Sequence, residues 1–548
     1  MQESIGYLEQ LYEGGADSSV LDGPILEWNE EKVQNFLKEY HAALEGTTPL
    51  GLEKSGRLPD EVMAGLKRSG IFGLTIPAEY RGLGMSLKEY LRVVEEAAKD
   101  DMALVLIPLA HLSIGMKGIL LFGNEEQKQR YLPRAATGEM VFAYCLTEPK
   151  QGSDAQHIET RAKLSEDGTH YILNGGKTYI TNGNYAGGLT VFARIEEAEA
   201  KADKPKLGAF IVETGWDGVK VGADMAKMGL KISSTTAIQF KDVKIPVENR
   251  LGEEGDGFKI AMTILNYGRL GLGAASAGIM FQAYRDMKKR AGKRIQFGRP
   301  IAEFELIQEK IGRAYAHGIA ASAITYQTAS LLEKSPLMNV AMESSHTKLY
   351  GTNAAWDTLY DAVQTYGGSG YIATQGYEKR MRDFRVTTIF EGTSEIHSIY
   401  PPLAAARSIM KRLKGKGGLG KFFTLLGIRR SSPPRIASPA FPGDTGLEQA
   451  LIRRAIKLVT GGMMKFGRTL PEREFLLRRA TRLSLYYYIL LSTRRYISEL
   501  KAEGRHSSEE ANLGAAYAIL AAEAEEALAL DGDLRPDPRW EAYSRLSS

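Results

Sequence analysis

The stretch His170-Tyr171-Ile172-Leu173-Asn174-Gly175-Gly176-Lys177-Thr178-Tyr179-Ile180-Thr181-Asn182-Gly183 decides the fold. Short β-branched and aromatic runs are broken here by Asn and Gly, the composition of strands separated by turns. More short runs of the same kind follow at Leu189–Ala193, Ala209–Val212 and Ala237–Phe240. Many short strands in succession predict a sandwich or a barrel, not alternating βαβ units.

On both sides of this β-rich block the pattern turns helical. Upstream, Glu30–Leu44 and Leu87–Lys99 carry apolar residues at helical spacing. Asn124-Glu125-Glu126-Gln127 reads as a capped helix start, and Pro133 reads as the end of that helix. Downstream, Ala261–Arg290, Glu305–Lys334 and Leu337–Tyr366 predict long helices with short connections, an up-down bundle. Residues 406–443 are rich in Gly, Pro, Lys and Arg and contain no acid, which predicts a basic linker. A second helical block then begins. Pro471 at a first helical position and Gly504 just past the end bracket one long helix, and Ser507-Ser508-Glu509-Glu510 starts another. The expected divisions are helical 1–140, β 141–252, helical bundle 253–405, linker 406–443 and a helical C-terminal domain 444–548.

Composition bounds the function. The chain has 548 residues and a net charge of +4, so bulk charge does not point to nucleic acid. One cysteine, Cys145, excludes an intramolecular disulfide. The N-terminal MQESIGYLEQLYEGG has neither a basic n-region nor an apolar h-region, so the expectation is a cytoplasmic protein, or a mature form without its targeting segment. The longest apolar runs, such as Leu485–Leu491, are read as falling short of the roughly 18 residues a membrane span needs. The histidines, including His111, His157, His317 and His397, lack paired metal spacing, so no metal site is expected. No nucleophile elbow surrounds Ser369, and Tyr171 stands where a phosphate loop ending at Lys177-Thr178 would need its first glycine.

Five stretches carry chemistry. Tyr144-Cys145-Leu146-Thr147-Glu148-Pro149-Lys150-Gln151-Gly152-Ser153-Asp154 leaves a strand as a turn-rich loop with hydroxyls and a carboxylate. It suits a planar hydrogen-bonding cofactor, and equally an ordinary polar turn. Gly176–Gly183 places Tyr179 and Thr181 on one strand face, a wall for a flat ring system or an exposed hairpin strand ending in Asn-Gly. Arg294-Ile295-Gln296-Phe297-Gly298-Arg299-Pro300 pairs fixed cations with an aromatic, fit for a pyrophosphate and an adenine or for a helix C-terminus. Gln364-Thr365-Tyr366-Gly367-Gly368-Ser369-Gly370-Tyr371 lets backbone N–H groups approach a ligand, or ends a helix. No strand precedes it, so it is not a dinucleotide fingerprint. Arg385-Val386-Thr387-Thr388-Ile389-Phe390-Glu391-Gly392-Thr393-Ser394-Glu395 sets a carboxylate in an apolar context. Desolvation there would raise its pKa and make it a base, though an acid at a helix start fits as well.

Together, in this order and across this α–β–α layout, the five stretches resemble the acyl-CoA dehydrogenase family over about residues 30–405. Ala110-His111-Leu112-Ser113-Ile114-Gly115, Gly118–Gly123, Ile264-Leu265-Asn266-Tyr267-Gly268-Arg269 and the trailing helices look most like its very-long-chain branch. The resemblance implies a mainly helical fold: an N-terminal helical domain, a middle β-barrel, a C-terminal four-helix bundle and an extra C-terminal helical domain.

It also implies FAD-dependent dehydrogenation of a long or very long fatty acyl-CoA to trans-2-enoyl-CoA in fatty-acid β-oxidation. Electrons would pass to an electron-transferring flavoprotein. Glu391 matches the base; the alternative base position of the family falls on Gly268, which has no side chain. Tyr144, Leu146, Thr147, Ser153, Tyr179, Ile180 and Thr181 match positions around the flavin, with Tyr179 standing where most members have Trp. Ser153, Asn266, Arg269, Phe390 and Gly392 match substrate contacts. Arg294, Gln296, Phe297, Gln364, Gly367 and Gly368 match segments that reach a neighbouring subunit's FAD, which implies a homodimer. Thr393 and Glu395 match the segment at the flavin's phosphates, Glu395 being Gln or Asp in many relatives.

Residues 415–430 combine Phe422, Phe423, Leu425, Leu426 and Ile428 with Lys416, Lys421, Arg429 and Arg430. That composition fits a peripheral contact with an inner membrane, and equally a solvated linker. The rival readings are a non-catalytic flavoprotein scaffold built on the C-terminal block, an acyl-CoA oxidase, and an oxidase or monooxygenase of other substrates, which would typically have changed the carboxylate at Glu391.

Overall fold

The computed structural model describes residues 4–196, 206–502 and 510–531, with 539, 543, 545 and 546. The described chain forms two compact units. One holds Trp28–Ala291 and Leu359–Glu391; the other holds the segment up to Glu27, Gly292–Thr358 and the chain from Gly392 onward.

The first unit begins with helices whose starts were legible. Asn29 caps Glu30–Ala43 by accepting from Lys32 N, and Ser86 with Glu89 forms a reciprocal cap on Leu87–Ala97. Asn124 and Gln127 do the same for Glu125–Ala136. That helix does not stop at Pro133 as expected. The proline sits inside it, and the chain turns only at Gly138, whose φ is +69°. A proline removes one helical donor, whereas a left-handed glycine reverses the chain. The expectation about apolar runs also needs correction. Met102–Phe122 is long and apolar enough to cross a membrane by length and composition, yet 83% of its most apolar window is buried inside the protein. It serves as a core element here, continuing through a π-helical turn at His111–Gly115.

The β block is an eight-stranded sheet: β1 (Val141–Cys145), β2 (Arg161–Leu164), β3 (His170–Thr181), β4 (Ala186–Glu196), β5 (Leu207–Glu213), β6 (Val219–Val221), β7 (Thr235–Pro246) and β8 (Arg250–Leu251). Hydrogen bonding runs β6-β7-β3-β2-β4-β5-β8, with β1 parallel to β4. Inward residues from six of these strands, among them Cys145, Ala162, Leu173, Val191, Phe210 and Ile238, share one core, so the sheet wraps around itself. Asn182-Gly183 does not close a hairpin, because β3 pairs with β2 and β7 and not with β4. β4 is buried on both faces: Val191 faces the sheet core, while Thr190 donates to the Gly115 carbonyl at 2.7 Å. That second face seats the π-turn against the sheet.

The helix Gly257–Lys293 begins after this sheet. Its middle reads Gly268-Arg-Leu-Gly-Leu-Gly-Ala-Ala-Ser-Ala-Gly278, and small residues let neighbouring backbones come close. A Cβ at Gly271 would press on Leu109 at 3.3 Å, and one at Gly278 would overlap the Glu95 carbonyl.

In the second unit, Glu305–Lys334 forms as expected, and the helix expected over Leu337–Tyr366 begins at Ala341. Pro471 lies in a short 3₁₀ turn ahead of the helix Glu474–Ala502, so it precedes the first helical position instead of filling it. Gly504 and Ser507–Glu509 lie outside the described residues. Glu474–Ala502 is the hub of the block. Its Arg494 pairs with Glu448 at 2.8 Å, Tyr487 meets Tyr7, Tyr488 meets Thr328, and Ser484 meets His346. Residues 418–430 of the expected linker are a helix, with Leu425 and Ile428 buried and Leu419, Phe422 and Phe423 exposed.

Candidate active site

The first two motifs meet through their backbones. Thr178 N donates to the Thr147 carbonyl at 2.9 Å, and Lys177 Nζ donates to the Leu146 carbonyl at 3.1 Å. The same ammonium pairs with Glu148 at 2.7 Å, both groups being almost wholly buried. Glu148 also accepts from Thr160 N at 2.9 Å. Burial pushes the Glu148 carboxyl up, but Lys177 and these hydrogen bonds outweigh it and hold it below the usual carboxylate range. The loop that presents Thr147 is therefore fixed by a buried ion pair.

β3 bulges between Lys177 and Ile180, and Tyr179 takes φ +57°. A bulge with a left-handed residue re-aims a side chain, and here it leaves the Tyr179 ring 68% exposed. Ile180 beneath it is buried, so strict alternation is interrupted at the bulge while Tyr179 still stands clear of the core. Next along, buried Asn182 (φ +67°) donates from Nδ2 to the Ile107 carbonyl at 2.9 Å and ties this wall to the apolar helix. Ser153 and Gly152 lie exposed on their loop.

Glu391 ends the second segment of the first unit. Its φ is +56°, a conformation uncommon for a side chain of this size. The carboxylate lies directly against Gly268: a Cβ there would stand 2.5 Å from Oε2 and 2.7 Å from Oε1. Arg269, on the next helical position and buried, directs Nε towards the Glu391 carbonyl at 3.5 Å and Nη1 to Asn266 Oδ1 at 3.4 Å. Tyr144 donates its hydroxyl to the Ala261 carbonyl at 3.1 Å. Burial, reinforced by the Glu391 charge, pushes the Tyr144 and Tyr90 phenols well above their ordinary range. The two phenols beside Glu391 thus stay neutral, while Arg269 brings a positive charge to the Glu391 carbonyl.

Gln364, Gly367 and Gly368 also belong to this unit, at the end of Ala341–Tyr366. Gly367 has φ +64°, and neither glycine has any atom within 4 Å of where a Cβ would stand, so a ligand can approach this backbone. The remaining motif residues lie in the second unit. Arg294–Pro300 follows directly on a helix end and forms a hairpin of its own. The helix stops at Lys293, and Ile295–Gln296 pairs antiparallel with Arg299–Pro300. Phe297 (φ +51°) and Gly298 (φ +77°) form a tight turn with both central residues left-handed, and the phenyl ring is 94% exposed. Thr393 caps the helix Ser394–Leu413 by accepting from Ile396 N, with Glu395 exposed in the first turn. Sequence reasoning did not find the Glu148–Lys177 clamp, Asn182 or Tyr90, because their partners are remote in the chain.

Three family models match in sequence order: the acyl-CoA dehydrogenase N-terminal domain over residues 30–139, the middle domain over 143–243 and the C-terminal domain over 255–399. The chain belongs to the acyl-CoA dehydrogenase family. Members of this family are FAD-dependent oxidoreductases. The very long-chain specific acyl-CoA dehydrogenase of Macaca fascicularis is 35% identical over 498 residues, 87% of this chain and 75% of that one. The acyl-CoA dehydrogenase of Bacillus anthracis, solved with FAD, superposes with a TM-score of 0.81 at 29% identity, covering 96% of this chain and 94% of that one. Butyryl-CoA dehydrogenase from Megasphaera elsdenii gives 0.64 at 33% identity and is covered completely by 70% of this chain. The acyl-CoA dehydrogenase fold, with its N-terminal helical, middle β and C-terminal helical parts, is therefore extended here by further C-terminal helices.

The residues present fit a flavin. An exposed aromatic ring held by a strained backbone, a loop pinned at Thr147 and the open glycines at 367–368 are the parts a flat ring system with a phosphate tail requires.

Proposed function

We propose that this acyl-CoA dehydrogenase removes one hydrogen from each of the α and β carbons of a long or very long fatty acyl-CoA, giving trans-2-enoyl-CoA. The observation that carries this reading is the Glu391 carboxylate resting on the backbone of Gly268, a helical position without a side chain. FAD, when bound, supplies the acceptor for the β-hydrogen and its electron pair. The protein's own task is the proton. Glu391 takes the α-proton as general base. In this reading the backbone N–H of Glu391 stabilises the negative charge that grows on the thioester oxygen. Asn266 and Arg269 define the helix face beside the base, with Ser153, Phe390 and Gly392 as further substrate contacts. Tyr90 and Tyr144 add buried, neutral side chains beside Glu391 and Arg269, and a dry setting strengthens each charge interaction inside.

The long-chain preference is supported by the similarity to very long-chain enzymes along most of the chain. Electron transfer to an electron-transferring flavoprotein, a homodimer whose Phe297 hairpin and Gly367–Gly368 turn reach the neighbouring FAD, and a cytoplasmic location are parts of the same proposal. So is the division of the chain into helical 1–140, β 141–252, helical bundle 253–405, linker 406–443 and a helical C-terminal domain 444–548. Peripheral attachment to an inner membrane is supported by the helix Gly418–Arg430, which exposes Leu419, Phe422 and Phe423 beside Lys416, Lys421, Arg429 and Arg430. The test is an anaerobic titration of the purified holoenzyme with saturated acyl-CoAs from short to very long. Bleaching of the bound flavin that is strongest with long chains, with enoyl-CoA recovered, is expected. A flavin that stays oxidised with every chain length would favour a scaffold role instead.

A further inference from the structure

Two residues in succession sit on the left-handed side of backbone space, Glu391 at φ +56° and Gly392 at φ +100°. A non-glycine residue there costs roughly 1–2 kcal/mol and persists only where its surroundings hold it. The holding groups act on successive carbonyls. Arg269 Nε points at that of Glu391, and the helical N–H of His397 takes that of Thr393 at 3.0 Å. Between them, Lys348 Nζ donates to the Gly392 carbonyl at 2.6 Å.

Lys348 has no accessible surface. An ammonium is costly to bury, and a neutral side chain of the same length would fill the space at far lower cost. One turn earlier on the same helix, Ser345 meets His397 Nδ1 at 2.7 Å. That bond fixes an imidazole whose Nε2 would lie 2.6 Å from any Cβ placed on Gly392. Gly392, the residue after the base, is thus held at its carbonyl oxygen by a cation and flanked at its α-carbon by a ring.

We infer that Lys348 is a positioning residue for the base: by holding the Gly392 carbonyl, with the Ser345–His397 pair behind it, it sets the backbone from which the Glu391 carboxylate reaches the substrate α-carbon. This inference rests on the reading of Glu391 as the base. Loss of the ammonium releases the peptide, and a base displaced by about 1 Å can lose roughly 100-fold in rate.

The test compares wild-type holoenzyme with Lys348→Met and Lys348→Arg. The anaerobic rate of flavin bleaching by palmitoyl-CoA is measured beside three controls: flavin content, the spectral shift on binding trans-2-hexadecenoyl-CoA, and amide exchange of the peptide spanning residues 389–397. Lys348→Met should bleach at least tenfold more slowly per bound flavin and bind the enoyl-CoA as wild type does. It should also exchange faster across 389–397, and Lys348→Arg should recover part of the rate. If Lys348→Met is insoluble, Lys348→Gln is measured in the same way. Bleaching within twofold of wild type, or a loss proportional to lost flavin with exchange unchanged, would overturn the inference alone. Wild type that never bleaches would overturn the dehydrogenase reading, and the inference with it.

Discussion

The two compact units bury charge in the same manner for different ends. In the first, Lys177 and Glu148 lie almost wholly buried at 2.7 Å and fix the loop that carries Thr147. In the second, Arg494 and Glu448 are equally buried at 2.8 Å, and what they fix is one helix of the C-terminal block against another. The first pair lies in the middle β domain beside Thr147 and Thr178; the second lies in the further C-terminal helices that extend the family fold here. Buried ion pairs hold geometry more than they add stability. What a pair does for function depends on what is anchored to it.

The sharpest way to break this contrast is Gly268→Ala. The new methyl would meet the Glu391 carboxylate at 2.5–2.8 Å, so the base must move. Flavin bleaching by palmitoyl-CoA should slow about 100-fold with flavin content intact. A variant of wild-type speed would mean that the carboxylate does not rest against Gly268 during the reaction.

Next come the two ion pairs. Lys177→Met and Arg494→Met each leave a buried carboxylate uncompensated, and each should cost about 3–5 kcal/mol in urea unfolding. Only Lys177→Met should also lower flavin content. Arg494→Met should keep the wild-type bleaching rate per bound flavin. Equal flavin loss in both would erase the distinction between the two units.

A gentler probe is Glu343, buried against the N-terminal arm, where it accepts from Leu8 N at 2.8 Å. Burial, with help from Glu9, raises its pKa from 4.5 to about 7. Below its unfolded pKa the group is protonated in both states and costs nothing. As pH rises towards 7 the unfolded chain ionises first, so stability falls, and above that the full cost of about 3 kcal/mol is present. Glu343→Gln keeps the acceptor, so its melting temperature relative to wild type should climb between about pH 4.5 and pH 7 and level off above. A pH-independent difference would contradict the assignment. The smallest effect on chemistry is expected from Phe422→Ser with Phe423→Ser. Binding to anionic vesicles should drop several-fold while bleaching is unchanged; undiminished binding would remove the membrane role of this helix.

Local patterns gave much of this away. Asn124 and Gln127 announced a helix start, the β-rich runs announced the sheet, and Glu391 stood out between Phe390 and Gly392. Pro133 misreads locally as a helix end, and Arg294–Pro300 and Asn182-Gly183 each admit two readings; all three are settled by tertiary packing, which local propensity does not encode. The clamps were invisible for a further reason. Glu148 and Lys177 are 29 residues apart, Glu448 and Arg494 are 46 apart, and Lys348 and Gly392 are 44 apart. Each charged residue alone reads as an ordinary surface group, and only the fold reveals that it is buried with a partner.

The central claim is that Glu391 is the base, and one comparison tests it most directly: the anaerobic absorbance of wild type and Glu391→Gln before and after palmitoyl-CoA. The account predicts that both bind oxidised flavin, that wild type bleaches, and that Glu391→Gln bleaches about 10²- to 10⁴-fold more slowly or not at all. Glu391→Gln bleaching at the wild-type rate would contradict it and move the base elsewhere.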